Sequence, residues 1–272
     1  MSQPQTPSNE QPTPPHTVTV VCMKWGQKFG PHYPNRLFAM VQRHLQRPHR
    51  FVCFTDDATG LHPSIEVHAL PEMTLDNGLP ERGWRKLSLF SPNTANLQGQ
   101  VLFLDLDVVI TGGLDAFFDH PGEFIIAKDW DFGDDSVIGN SSVFRYEAGK
   151  HHEVLTHFLA HGEAVRQTFR NEQAYLSHKV HESGCLSYWP SEWCVSFKRN
   201  CLRPFPLNFF MLPKEPKQAK VLVFHGRPTP EQALQGYMGK LGLRYVKPTT
   251  WLQHHWVNTP EESSFAKRPK HI

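Results

Sequence analysis

Residues 101–110 read Val-Leu-Phe-Leu-Asp-Leu-Asp-Val-Val-Ile, VLFLDLDVVI. The apolar run QVLFL at 100–104 predicts a strand buried on both faces, and it leads straight into two carboxylates separated by one residue. Side chains two apart in an extended segment point the same way, so Asp105 and Asp107 are expected on one side. They follow the carboxyl end of a strand, where open α/β sheets bind ligands. Two like charges so close repel unless a cation sits between them. Oxygen ligands of this kind suit manganese or magnesium. The alternative is a surface Asp-x-Asp that merely ends a strand, and the apolarity of the preceding run weighs against it.

Moving outward, residues 17–23 (TVTVVCM) form a β-branched run that predicts a buried strand. After the loop KWGQKFGPHYP, residues 35–46 carry Leu37, Met40, Val41 and Leu45 at helical spacing. Residues 50–55 and 65–70 read as further strands. Strand, helix, strand in this order predicts a mostly parallel sheet with right-handed crossovers, an α/β domain. A short helix is expected at 83–90, strands at 124–127, 142–146 and 220–224, and helices at 151–160 and 172–180. The stretch 185–215, dense in Pro, Trp and Cys, yields no assignment. Residues 1–16 and 259–272 are polar and expected to be loose tails around a single domain at 17–258.

The chain has 272 residues, enough for one large α/β core. Its net charge of +2 includes no concentrated basic face, which argues against nucleic acid as a partner. Five cysteines, an odd number without a CxxC pair, argue against a zinc ribbon and a disulfide framework. No stretch is long and apolar enough for a transmembrane segment, and the N-terminus lacks the apolar core of a signal peptide. A cytoplasmic enzyme, free or peripheral to the inner face of the membrane, is the expectation.

A strand ending in Asp-x-Asp has two familiar settings. The haloacid-dehalogenase phosphatase pattern DxDx[TV] fits residues 105–109, but that family's second acidic site has only Gly133-Asp134-Asp135 to match it, without an apolar strand before it. The other setting extends along the chain. DLD at 105–107, AKD at 127–129 followed by NSSVFRY at 140–146, NEQ at 171–173 and AKVLVFHGRPTP at 219–230 follow one another. In that order they resemble the motifs of glycosyltransferase family 8, the GT-A group that includes glycogenin and bacterial lipopolysaccharide galactosyltransferases. The resemblance spans residues 17 to about 232.

That resemblance implies a Rossmann-like GT-A domain, a UDP-sugar donor, a divalent metal (manganese first, magnesium second), a saccharide or lipopolysaccharide acceptor, and retention. The metal ligands it implies are Asp105, Asp107 and His225. His225 stands one residue before Gly226 rather than three, a displacement of ~6.6 Å along a strand that keeps the same face. Where the family has Lys-Pro-Trp, this chain has Thr229-Pro230-Glu231, which shifts the diphosphate contact to Arg227, since guanidinium grips phosphate bidentately. Lys86 matches a T-K-L segment near the glycogenin site. Asp129 and Asn140 would hold sugar hydroxyls, with Glu172 and Gln173 beneath the ring, Glu172 as nucleophile or as electrostatic support. Trp25 and Tyr33 fall where the family contacts the base. A non-catalytic module that binds nucleotide sugars would carry the same residues.

Overall fold

The computed structural model describes residues 17–73, 75, 83–92, 94–133, 135–239 and 244–256. The two tails expected from the sequence lie outside the described residues.

Strand β1 (Val18–Lys24) is followed by helix α1 (His32–His44), β2 (His49–Thr55) and β3 (Glu66–His68). A 3-10 helix at Trp84–Phe90 then leads into β4 (Gln100–Leu104). β1, β2, β3 and β4 pair in parallel, in the order β3-β2-β1-β4. Next come β5 (Val108–Ile110), α2 (Asp115–Asp119), β6 (Phe124–Lys128) and β7 (Gly139–Glu147). β7 lies antiparallel between β4 and β6, and β8 (Leu186–Tyr188) extends the sheet beside β6 to seven strands. Helices α3 (His152–Thr168) and α4 (Glu172–Glu182) precede β8. A second, three-stranded sheet joins β5, β10 (Val221–Val223) and β9 (Cys194–Ser196).

The period-2 alternation of β1 explains the layering. Val18, Val20 and Cys22 pack with Leu37, Met40 and Val41 of α1 and with the small sheet. Val21 and Met23 face the other way, into a second core with Trp84, Leu87, Phe158 and Tyr175. Each face of the large sheet is thus closed by its own apolar layer, as buried parallel strands require. All five cysteines are free.

One expectation about the acidic motif is corrected. Residues 105–107 are not extended: β4 stops at Leu104 and the three residues form a turn before β5. The turn lets the chain leave the large sheet and enter the small one. Leu106 is buried beneath it, while Asp105 and Asp107 are both half-buried and line the same cavity.

Candidate active site

At the carboxyl ends of β1 and β4 opens a cavity of about 720 Å³, within the range of small-molecule sites. Asp105, Asp107, Trp25, Lys86, Asn140, Glu172, Gln173 and His225 all line it. Eight residues picked from distant parts of the sequence therefore meet at one place.

Its floor is a buried polar network. Lys86 is 6% exposed, and its Nζ lies 2.8 Å from both carboxylate oxygens of Asp105, 3.2 Å from Ser141 Oγ and 3.7 Å from Glu172 Oε1. Ser141 in turn donates to Glu172 Oε1 at 2.6 Å. Burial alone would lower the pKa of the Lys86 ammonium, but Asp105 and Glu172 outweigh it and hold the group above its ordinary value. The network depends on Gly83, which has φ 101° and whose missing Cβ would stand 3.0 Å from the Glu172 carboxylate. Asn171 caps α4, its side chain accepting from the Ala174 N–H at 3.1 Å. That cap fixes the first turn, which carries Glu172 and Gln173 into the cavity. Gln173 Nε2 donates to Asp129 Oδ2 at 2.8 Å. Asp129 also accepts from the Asp131 N–H at 2.8 Å, so it supports the cavity wall from behind.

Among the described residues no such cation pairs with Asp107 at contact distance. Burial and the neighbouring charge of Asp105 push its carboxyl up to about 7, against the opposing pull of Lys28 and Lys86. A pair of carboxylates, one of them this reluctant to ionise, is a donor set that fits a divalent cation. The expected third ligand does not join it. His225 Nε2 is 2.7 Å from Ser196 Oγ, and its ring stacks on Trp130 with centroids 5.6 Å apart. Among the described residues no three His, Cys, Asp or Glu side chains form a metal-ligand group. Burial lowers the pKa of His225, with Asp131 opposing, so this ring is a neutral wall of the cavity.

Two further residues are located elsewhere than expected. Tyr33 is in α1, not in a loop: its ring packs on Phe29 and Trp256 and its hydroxyl donates to Glu231 at 2.6 Å. It does not line the cavity, whereas Trp25 does, together with Phe29 and Phe224. Arg227 is exposed and also lies outside the lining. The cations found there instead are Lys28, in the loop after β1, and Arg170, just before the α4 cap. Neither belongs to a motif, and only their place beside Trp25 and Asn171 in the sequence hinted at them. Of the phosphatase pattern's second acidic site, Asp135 is exposed and not part of the lining, and Asp134 lies outside the described residues.

No protein-family model matches the sequence, and no curated protein matches it. Solved structures do. The galactosyltransferase LgtC, in complex with donor and acceptor sugar analogues, is similar at a TM-score of 0.55 and 14% identity, over 78% of this chain and 88% of that one. The glycosyltransferase GlyE of Streptococcus pneumoniae TIGR4 has a TM-score of 0.54 at 14% identity, over 79% of this chain and 56% of its own. The bifunctional glycosyltransferase WbbM reaches 0.56 at 14% identity, over 96% of this chain and 53% of its own. The chain spans little more than half the length of the latter two. The fold is that of the GT-A glycosyltransferases.

Proposed function

We propose that the protein is a glycosyltransferase that binds a nucleotide sugar, a UDP-sugar, in this cavity and transfers the sugar to a saccharide acceptor. The observation that carries the reading is the charge arrangement on the cavity floor. A carboxylate pair, Asp105 and Asp107, adjoins a buried Lys86 and a second buried acid, Glu172, within a GT-A fold. Divalent ions in phosphate chemistry are commonly held by one or two carboxylates plus substrate phosphates, so two aspartates are a sufficient protein share. We take manganese as the first candidate and magnesium as the second. Bound there, the ion supplies Lewis-acid stabilisation of the charge that grows on the departing diphosphate.

The chain's own residues divide the remaining work. Lys28 and Arg170 bring positive charge to the diphosphate, the role the sequence had suggested for Arg227. Trp25 offers a ring face to the base, and Asn140 a side-chain amide to sugar hydroxyls. The sugar develops oxocarbenium character as its bond breaks. Glu172, oriented by Ser141, presents negative charge to it, and Gln173, held by Asp129, presents an amide. A carboxylate beneath the ring is compatible with retention. The comparison with LgtC, crystallised with donor and acceptor sugar analogues, supports a saccharide as the acceptor class.

Incubation of the protein with a panel of nucleotide sugars and manganese, with and without saccharide acceptors, tests this reading. Release of nucleoside diphosphate and a thermal shift with the same donor are the expected results. Thermal stabilisation without turnover on any acceptor would favour a non-catalytic binding module. No shift with any donor would remove the reading.

A further inference from the structure

Away from the cavity, residues 205–212 (FPLNFFML) expose a run of large apolar side chains. Phe205 is 64% exposed and Phe210 74%, and Leu207, Phe209, Met211 and Leu212 are exposed beside them. Soluble surfaces rarely gather so much apolar area in one place without a partner for it. The run is not a loose loop. Asn208 is buried and donates to the Tyr245 carbonyl at 3.0 Å, Phe209 stacks on Tyr245, and the Met211 N–H bonds the Leu207 carbonyl at 2.9 Å. Arg203 Nε donates to the Leu212 carbonyl at 3.1 Å and Lys247 Nζ to the Phe210 carbonyl at 3.2 Å. Met238, 65% exposed, reaches the same region through the Tyr237–Val246 bridge. The polar backbone is tied down while the apolar side chains are turned to solvent.

Charge points to what covers them. Over the whole chain 28 Lys and Arg nearly balance 26 Asp and Glu. Between residues 197 and 217, however, Lys198, Arg199, Arg203, Lys214 and Lys217 face a single acid, Glu215. Glu215 is paired with His255 at 3.3 Å, and Arg199 with Asp131. Cations thus stand at both ends of the apolar run, Arg203 on one side and Lys214 and Lys217 on the other, with Lys247 against its middle. An apolar tip framed by cations is the pattern that enters the headgroup layer of an anionic bilayer: apolar side chains insert and the cations meet lipid phosphates.

We propose that residues 203–217 dock the protein on an anionic phospholipid surface, with Phe205, Leu207, Phe210 and Met211 as the inserted side chains. The proposal is independent of the chemistry assigned to the cavity. The test is co-sedimentation of the full chain with vesicles of phosphatidylcholine and phosphatidylglycerol in equal parts, against phosphatidylcholine alone. Binding is expected to be at least about tenfold tighter to the anionic vesicles and to weaken with added salt. The double substitution Phe210→Glu with Met211→Glu, and separately Lys214→Glu with Lys217→Glu, should each lower it by about tenfold or more. Both pairs are exposed, so melting temperature and UDP binding should stay at parent values. Equal binding to the two kinds of vesicle, no binding, or undiminished binding by the variants would overturn the proposal. So would a parent dimer in sedimentation that Phe210→Glu dissolves, which would assign the patch to a second copy of the chain.

Discussion

The ammonium of Lys86 lies 2.8 Å from Asp105 and 3.7 Å from Glu172, so one buried cation links the Asp105–Asp107 turn to the acid at the start of α4. Removing that cation leaves two acids facing each other without compensation. Breaking a buried pair from one side costs about 3–5 kcal/mol. Lys86→Met should fall at the lower end, since Asp105 keeps partial contact with solvent. Urea unfolding of the two proteins measures the loss. A variant as stable as the parent would mean the ammonium contributes nothing net to the fold.

Asp107→Asn preserves shape and removes one carboxylate. Titration calorimetry with UDP and manganese should show affinity reduced by at least about tenfold, roughly 1.4 kcal/mol. His225→Ala, by contrast, should leave manganese affinity close to the parent value, because its ring is engaged by Ser196 and Trp130. Equal losses in both variants would restore His225 to the ligand set.

Tyr33 and Trp25 make a second contrasting pair. Tyr33→Phe removes the bond to Glu231, and a typical bond of this kind is worth about 1 kcal/mol to stability. UDP affinity should not change. Trp25→Ala should do the reverse, weakening UDP by about 1–3 kcal/mol if the ring stacks on the base, with stability nearly intact. Thermal melts and nucleotide titrations on the two variants separate the roles.

The strands that position the site were largely legible: β4 has the expected bounds, and its apolar run named the acidic motif. Tyr33 was misplaced for a local reason. The apolar periodicity of α1 begins at Leu37, but the helix itself starts at His32, with Pro34 tolerated in its first turn, where its missing N–H costs nothing. The segment 185–215 gave no assignment because its strands, Leu186–Tyr188 and Cys194–Ser196, are three residues long and too short to show alternation. Lys28 and Arg170 stand in connecting segments, where no periodicity marks a residue as facing a cavity.

Glu66 sets an acid limit on the far edge of the sheet. The hydrogen bond from Arg50 holds its carboxyl down to about 2, against partial burial and with help from His68. A depressed carboxylate stabilises the fold above its unfolded value near 4.5, and that contribution is lost as pH falls toward 2. Glu66→Gln should therefore be less stable than the parent at pH 6, with the difference vanishing near pH 2. Urea midpoints across that window check the sign. A difference that does not vary with pH would mean the glutamate acts by packing alone.

Glu172 and Gln173 test the catalytic reading most directly. Glu172 is buried, accepts from Ser141 at 2.6 Å and stands 3.7 Å from Lys86, while Gln173 is tied to Asp129 at 2.8 Å. Neither is free to drift, so each meets the donor in a fixed position. If they lie beneath the sugar, they act mainly on charge that develops as the bond breaks, and transition-state interactions of that kind lower the rate rather than ground-state binding. Gln173→Ala should keep UDP affinity near the parent value and lose turnover by about tenfold or more, or ~1.4 kcal/mol of barrier. Glu172→Gln keeps the side chain's size and its contact with Ser141 but removes the charge, so a comparable loss would assign the effect to the carboxylate rather than to disrupted packing. Single-turnover rates and UDP titrations on the same preparations distinguish the outcomes. Parallel losses in UDP affinity and rate would move both residues to nucleotide binding, and full activity in both variants would reduce the first turn of α4 to a structural cap.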